Sequence, residues 1–246
     1  MTKITATIVT LNEEKNIGRA IESVRCCEEI LIVDSGSTDR TRSLATQRGA
    51  RVLPHAWPGY AKQKNWAAEQ ASTDWILSID ADEALSEELE AELLTLKKIG
   101  MAADGYSMPR MAQYLGKWIR HSGWYPDRKV RLYDRRKARW VGDYVHESVQ
   151  VDGRVIDLNA NLLHFTCDSL SAHMKTLDRY TTLAAEELIA RGVSRPAYRL
   201  AVDPLWTFLR TYLLQQGFRD GFEGFTIAYM AALYTFLKYA KARRPI

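Results

Sequence analysis

Trp75-Ile76-Leu77-Ser78-Ile79-Asp80-Ala81-Asp82 is the stretch on which the reading of this chain turns. Its first five residues, broken only by one serine, read as a strand buried on both faces, and they run straight into two carboxylates one residue apart. Working outward, the same rhythm repeats towards the N-terminus. Ile4 to Thr10 is a β-branched run, Ile30 to Val33 is a second that ends in Asp34, and Arg51 to Leu53 is a third. Helical patterns lie between them: Ile17, Ala20, Ile21 and Val24 after an Asn12-Glu13-Glu14 cap, then Arg40 to Arg48, then Gly59 to Ala71. Strands alternating with helices predict an α/β fold with a doubly wound parallel sheet, whose ligands sit beyond the carboxyl ends of the strands. Asp34 and Asp80 both fall at such ends. Glu83 to Lys98 reads as an amphipathic helix whose glutamates form a solvated face.

From Ala103 to Phe165 the pattern changes to short, aromatic-rich strands, followed by a helix over Leu170 to Arg191 and two further helices over Ala197 to Ala242, around Gly217 to Gly224. The 246 residues, 46% hydrophobic and 26% charged, suit one large domain with a helical appendage and exclude a disordered chain. A net charge of +4 carries no general nucleic-acid footprint, so no nucleic-acid partner is expected. Cys26, Cys27 and Cys167 are too few for a disulfide framework or a zinc site and fit a reducing, cytoplasmic compartment. Met1 to Asn12 reads as a strand, not a signal peptide.

The chemistry begins at Asp80-Ala81-Asp82. A hard divalent cation, Mg²⁺ or Mn²⁺, takes carboxylate oxygens together with substrate phosphate oxygens, and it neutralises charge on a departing diphosphate. The plain alternative is Asp80 capping the helix that starts near Glu83. Asp34, ahead of the turn Ser35-Gly36-Ser37-Thr38-Asp39, can accept hydrogen bonds from a base or ribose, while Ser37 or Asp39 would cap the next helix in any case.

Three motifs now stand in order: Thr7-Ile8-Val9-Thr10-Leu11-Asn12-Glu13, Val33-Asp34-Ser35-Gly36-Ser37-Thr38-Asp39 and Ile79-Asp80-Ala81-Asp82-Glu83. In this order and spacing they resemble the family 2 inverting glycosyltransferases of GT-A fold, which implies a Rossmann-like, mostly parallel sheet with a C-terminal helical extension. The resemblance implies that Thr10, Leu11, Asn12, Glu13 and Asp34 hold the nucleotide of a UDP-sugar donor. Asp80 and Ala81 would lie near ribose or metal, with Asp82 a direct metal ligand. Lys64 and Asn65 match a basic residue and an asparagine that the family places close to the donor. The implied division is a glycosyltransferase domain over 1–192, with a nucleotide-sugar half at 1–102 and an acceptor half at 103–192, and a helical extension at 193–246.

The second half resembles lipopolysaccharide core glucosyltransferases through Gly123-Trp124-Tyr125-Pro126-Asp127-Arg128-Lys129-Val130-Arg131-Leu132-Tyr133, Val145-His146-Glu147 and Pro204-Leu205-Trp206 onward. That implies transfer of a hexose, glucose from UDP-glucose, to an inner-core heptose or Kdo. Another acceptor, protein or polyprenyl phosphate, or an inert nucleotide-sugar-binding scaffold stays open. Inversion needs one general base. Glu147 is the candidate and Asp127 the runner-up, although Glu147 also reads as a strand-end partner of an arginine and Pro126-Asp127 as an ordinary turn. His146 reads as a metal ligand or a donor behind one. Trp124, Tyr125 and Arg128 suit a sugar stacked on an aromatic ring beside a phosphate, so a lipid-linked saccharide is the expected acceptor; Arg131 serves that phosphate or the donor diphosphate. Phe225 to Leu237, followed by Lys238, Lys241, Arg243 and Arg244, is too short an apolar run to span a bilayer. It reads equally as a peripheral membrane contact on the cytoplasmic face or as a core or homodimer helix.

Overall fold

The structure is a computed structural model that describes residues 1–142, 147–192 and 196–243. Four strands, β1 (Ile4–Thr10), β2 (Glu29–Asp34), β3 (Arg51–Pro54) and β4 (Trp75–Asp80), alternate with α1 (Ile17–Ser23), α2 (Thr41–Gln47) and α3 (Tyr60–Gln70). They lie in the order β3-β2-β1-β4, all parallel. The order reverses between β1 and β4, which opens a crevice at their carboxyl ends. Ile4, Ala6 and Ile8 of β1 pack with Ile17, Ala20 and Ile21 of α1 on one face, while Leu31 and Val33 of β2 meet Ala67 of α3 on the other. Each fully buried Ile, Leu or Val side chain among them contributes roughly 1.5–3 kcal/mol, and each alanine less.

After β4 come β5 (Glu83–Leu85), α4 (Glu87–Ile99), β6 (Gly105–Tyr114), β7 (Lys117–Trp118), β8 (Asp127–Asp134), β9 (Ala138–Val141), β10 (Ser148–Val151), β11 (Val155–Asp157) and β12 (Leu162–Cys167). The sheet continues from β4 through β8, β6, β12 and β5, with β8 antiparallel to β4 and β12 antiparallel to β5. The helices α5 (Leu170–Ala190), α6 (Arg199–Leu209) and α7 (Gly221–Arg243) follow, with a π turn at Arg210–Leu214 and a 3₁₀ turn at Gly217–Asp220 between the last two.

The contacts divide the chain into two compact units, Met1–Arg110 with Asp127–His164, and Met111–Pro126 with Phe165–Ile246. The sequence boundary at 192/193 falls inside the second unit.

Two local expectations are corrected. The helix expected from Glu83 starts at Glu87, capped by Ser86 Oγ, which accepts from Leu89 N at 3.2 Å. Glu83 belongs instead to β5 and is fully buried, so it is no part of a solvated face. Asn12 is not a helix cap either. α1 begins at Ile17, and Asn12 sits in the left-handed region at φ 56°, which asparagine tolerates better than most residues.

Candidate functional site

The strand-end residues Thr10 and Asp34 are register partners across β1 and β2. Asp34 is fully buried, and its Oδ2 accepts from Gly36 N at 3.0 Å and Ser37 N at 2.9 Å. Gly36, at φ 101°, allows the tight turn that aims both amides back at the carboxylate. The second oxygen, Oδ1, is buried with no partner among the described residues, as is Thr10 Oγ1. A carboxylate oxygen out of water without a donor is costly, so this is an acceptor waiting for one.

The loop after β1 is clipped to the turn after β2 by short side chains. Asn12 N donates to Ser37 Oγ (2.9 Å), Glu13 N to Thr41 Oγ1 (2.8 Å) and Glu14 N to Asp39 Oδ2 (3.1 Å), while Thr38 N donates back to Asn12 Oδ1 (2.8 Å). Asp39 Oδ1 also accepts from Thr41 N at 2.9 Å. Ser37 and Asp39 therefore hold the neighbouring loop as well as their own turn, which the sequence reading missed.

Behind β4 the construction is different. Asp80 stands between Lys64 Nζ at 2.8 Å and Arg131 Nη2 at 3.0 Å. Arg131 Nη2 also meets Glu83 Oε1 at 2.7 Å, and Glu83 Oε2 accepts from Asp80 N at 3.0 Å. Lys64 reaches Glu147 Oε1 at 3.2 Å and lies 4.3 Å from the centre of the Trp140 ring; Arg131 lies 5.4 Å from the same ring. Burial alone would raise the Asp80 pKa, but Lys64 and Arg131 outweigh it and hold the carboxyl well below the usual carboxylate range. Burial would lower the Arg131 pKa, and Glu83 and Asp80 together raise it above the ordinary guanidinium value. Arg131 Nε remains a buried donor with no acceptor among the described residues.

Asp82, two residues on, has another fate. Its Oδ2 lies 3.3 Å from His164 Nε2, with both side chains partly exposed. The pairing of β5 with β12 puts His164 opposite Glu83 and so beside Asp82. Glu13 has its pKa raised, first by burial and further by the charges of Asp82 and Asp39. No group of three or more His, Cys, Asp or Glu side chains suited to a metal occurs among the described residues. The carboxylate oxygen of Asp82 nonetheless suits Mg²⁺ or Mn²⁺ that takes its other ligands from substrate phosphates and water, and the imidazole of His164 suits the transition metal Mn²⁺ better than Mg²⁺. Among the residues the sequence singled out for a metal, Asp80 is occupied by two cations and His146 lies outside the described residues.

The remaining residues fall into separate settings. Leu11 is exposed and Ala81 is buried. Asn65 spends its amide on one residue: Nδ2 donates to Trp140 O at 2.9 Å and Oδ1 accepts from Trp140 N at 2.8 Å, which fixes the ring beneath Lys64 and Arg131. Asp127 is clamped by Arg110 Nη2 (2.7 Å) and Lys129 Nζ (3.0 Å); burial would raise its pKa, but these cations lower it. Arg128 Nη1 donates to Leu158 O at 2.9 Å. In the second unit, Trp124 packs edge-on against Tyr114 at 5.6 Å and Tyr125 is half-buried. Burial, with the Cys167 charge adding to it, pushes the Tyr114 hydroxyl up to about 12. Arg110, Trp140 and His164 went unremarked in the sequence, and Glu83 was read there as part of a solvated helix face; the one local signal for His164 was its place inside the apolar run Leu162-Leu163-His164-Phe165.

A sequence profile described as glycosyl transferase family 2 matches residues 5–150. The chain is 35% identical to the lipopolysaccharide core biosynthesis glycosyltransferase LpsC of Rhizobium meliloti, over 97% of this chain and 91% of that protein. Among solved structures it resembles S. aureus TarS 1-349, with TM-score 0.50 and 14% identity, covering 100% of this chain and 92% of that one. It also resembles the Mycobacterium tuberculosis glucosyl-3-phosphoglycerate synthase in complex with Mn²⁺, UDP and its glucosylated product, with TM-score 0.51 and 17% identity, covering 79% of this chain and 81% of that one. These two likenesses establish the GT-A fold expected from the sequence.

Proposed function

This chain belongs to glycosyl transferase family 2, and from that premise we propose that it moves a hexose, glucose from UDP-glucose, with inversion onto a lipid-linked saccharide of the lipopolysaccharide core. The observation that carries the reading is the split between Asp80 and Asp82. Asp80 is consumed by Lys64 and Arg131, whereas Asp82 is left beside His164 at 3.3 Å. Lys64, Arg131, Arg110 and Lys129 balance Asp80, Glu83, Glu147 and Asp127 through a network of shared ion pairs. Asp82 is the carboxylate outside that balance, and it favours a cation.

In this reading Asp34 Oδ1, the orphaned acceptor, takes a hydrogen bond from the nucleobase or ribose, and Arg131 Nε gives one to a diphosphate oxygen. Asp82 and His164 would hold a divalent ion, Mg²⁺ or Mn²⁺, which would supply positive charge against the departing diphosphate. Glu147 removes the proton of the acceptor hydroxyl as that oxygen bonds to the anomeric carbon; the bond from that carbon to the diphosphate breaks, and UDP leaves with its electron pair. Lys64 orients Glu147 through the 3.2 Å contact. Asp127 is the weaker base, since Arg110 and Lys129 hold its proton affinity below the ordinary carboxylate value. The acceptor class rests on the relative LpsC, whose name carries lipopolysaccharide core biosynthesis.

The test is incubation with each UDP-hexose and a truncated lipopolysaccharide core, read as mass shift and linkage. One hexose added from UDP-glucose, lost on chelation and in Asp82→Ala, is the expected result. Transfer by Asp82→Ala that still responds to metal would overturn the ligand assignment.

A further inference from the structure

α6 carries an apolar stripe that faces solvent. Val202, Leu205, Trp206, Leu209 and, in the π turn, Leu213 recur at helical spacing, the pattern of a face that normally enters a core. All are exposed, and no residue of α6 is buried. The helix is held from another side, where Phe208 and Tyr212 pack edge-on to Phe225 of α7 at 5.7 and 5.8 Å. Leu205, Trp206, Leu213, Leu214, Phe218 and Phe222 are each half exposed or more. So large an apolar surface marks a place of contact.

The turn that carries Phe218 is fixed in place. Asp220 is buried, and its carboxylate accepts from His121 N at 2.9 Å and pairs with His121 Nδ1 at 2.9 Å, while its carbonyl accepts from Lys117 Nζ at 2.6 Å. Charge decides what the surface meets. Between 196 and 230 the exposed charged residues, all described, are Arg210 and Arg219. Asp203 and Glu223 are partly buried and paired with Arg199 and Lys117. A two-fold contact between copies would bring these arginines together with no exposed carboxylate from the patch to meet them. An anionic lipid surface has the opposite charge and takes Trp and Leu below its headgroups.

We propose that α6, the π turn and the start of α7 form a docking surface for the headgroup–acyl boundary of a bilayer containing anionic lipids. No helix among the described residues is long and apolar enough to cross a membrane, so the contact lies in the interface plane. The sequence pointed to Phe225–Leu237 for such a contact; Ile227, Ala228 and Met230 of that run are buried, and the exposed face is centred on its neighbour α6. This surface lies wholly in the second unit, so the proposal stands apart from the donor reading and its test needs no nucleotide.

The test is co-sedimentation of the full chain with vesicles of phosphatidylcholine alone or mixed with phosphatidylglycerol, with gel filtration alongside. The chain is expected to sediment with the mixed vesicles and to be released by salt. Arg210→Gln with Arg219→Gln should weaken binding about 25-fold, about five-fold for each cation lost near the surface. Trp206→Ser with Leu214→Ser should abolish it at unchanged circular dichroism and melting. Failure of the parent chain to bind mixed vesicles, or full binding by the Trp206/Leu214 variant, overturns the proposal. A parent dimer that this variant turns into a monomer, with no vesicle binding, overturns it in favour of an interface between copies.

Discussion

The two clusters at the carboxyl ends of the parallel strands are built on opposite principles. Around Asp34 the loops are joined mostly by backbone amides that donate to the neutral side chains of Ser37, Thr41 and Asn12, with Asp39 and an exposed Arg40–Glu14 pair beside them; each neutral bond is worth about 1 kcal/mol net. Around Asp80 the members are full charges, and each is held in place by its neighbours. The first arrangement leaves one acceptor open and tolerates the loss of a link. In the second, removal of one partner strands the rest in a medium that penalises unpaired charge. A shaped recess and a charged floor are thus separable properties, and substitutions should separate them.

The largest effect is expected at the edge of the charged cluster. Glu147→Gln keeps the shape and a contact for Lys64 but cannot take a proton. Turnover should fall about 10²–10⁴-fold with UDP affinity unchanged, measured by single-turnover transfer and calorimetry. Asp127→Asn should lose far less; an equal loss would move the base to Asp127 and break the distinction drawn from its cation clamp.

Within the cluster, Arg131→Met should cost about 3–5 kcal/mol in denaturant unfolding, because Glu83 is fully buried and loses its nearest cation. The pH dependence has a definite sign. Asp80 has a depressed folded pKa, so its contribution is fully present above its ordinary value of 3.8 and is lost as pH falls below it towards the folded value. The gap between parent and variant should therefore narrow in acid. A gap that widens there would show that the stabilisation is not ionic.

In the neutral cluster, Asp34→Asn keeps an acceptor for the amides of Gly36 and Ser37 and removes the carboxylate charge from the unpartnered position. UDP affinity should drop about 10–100-fold, as expected for one hydrogen bond to a charged group, with little change in melting. Affinity at the parent level would mean that Oδ1 does not face the nucleotide.

The legible parts of the site were those that depend on local sequence. Asp34 and Asp80 announce themselves because each follows an apolar strand, and the parallel order of β1, β2, β3 and β4 follows from strands alternating with helices. Glu83 and His164 were hidden for one reason. Each acquires its place from the pairing of β5 with β12, a register between segments about 80 residues apart that no periodicity records. Glu83 was even misleading, since a glutamate followed by leucines at helical spacing looks like the start of α4. Asn65 shows the converse: its placement on α3 was legible, but its use, holding the backbone of Trp140, depends on β9.

The smallest effect sharpens the comparison most. Ser37 is buried, and its hydroxyl accepts from Asn12 N, one of several links between the two loops. Ser37→Ala removes that acceptor and leaves the others in place, so the loss should be about 0.5–1.5 kcal/mol. For a chain of this size that is a fall in melting temperature of about 2–4 °C per kcal/mol. If the clip shapes the nucleotide recess, UDP affinity falls a few-fold while the rate at saturating donor is kept. A loss of rate with unchanged affinity would mean that the neutral clip and the charged floor act as one unit.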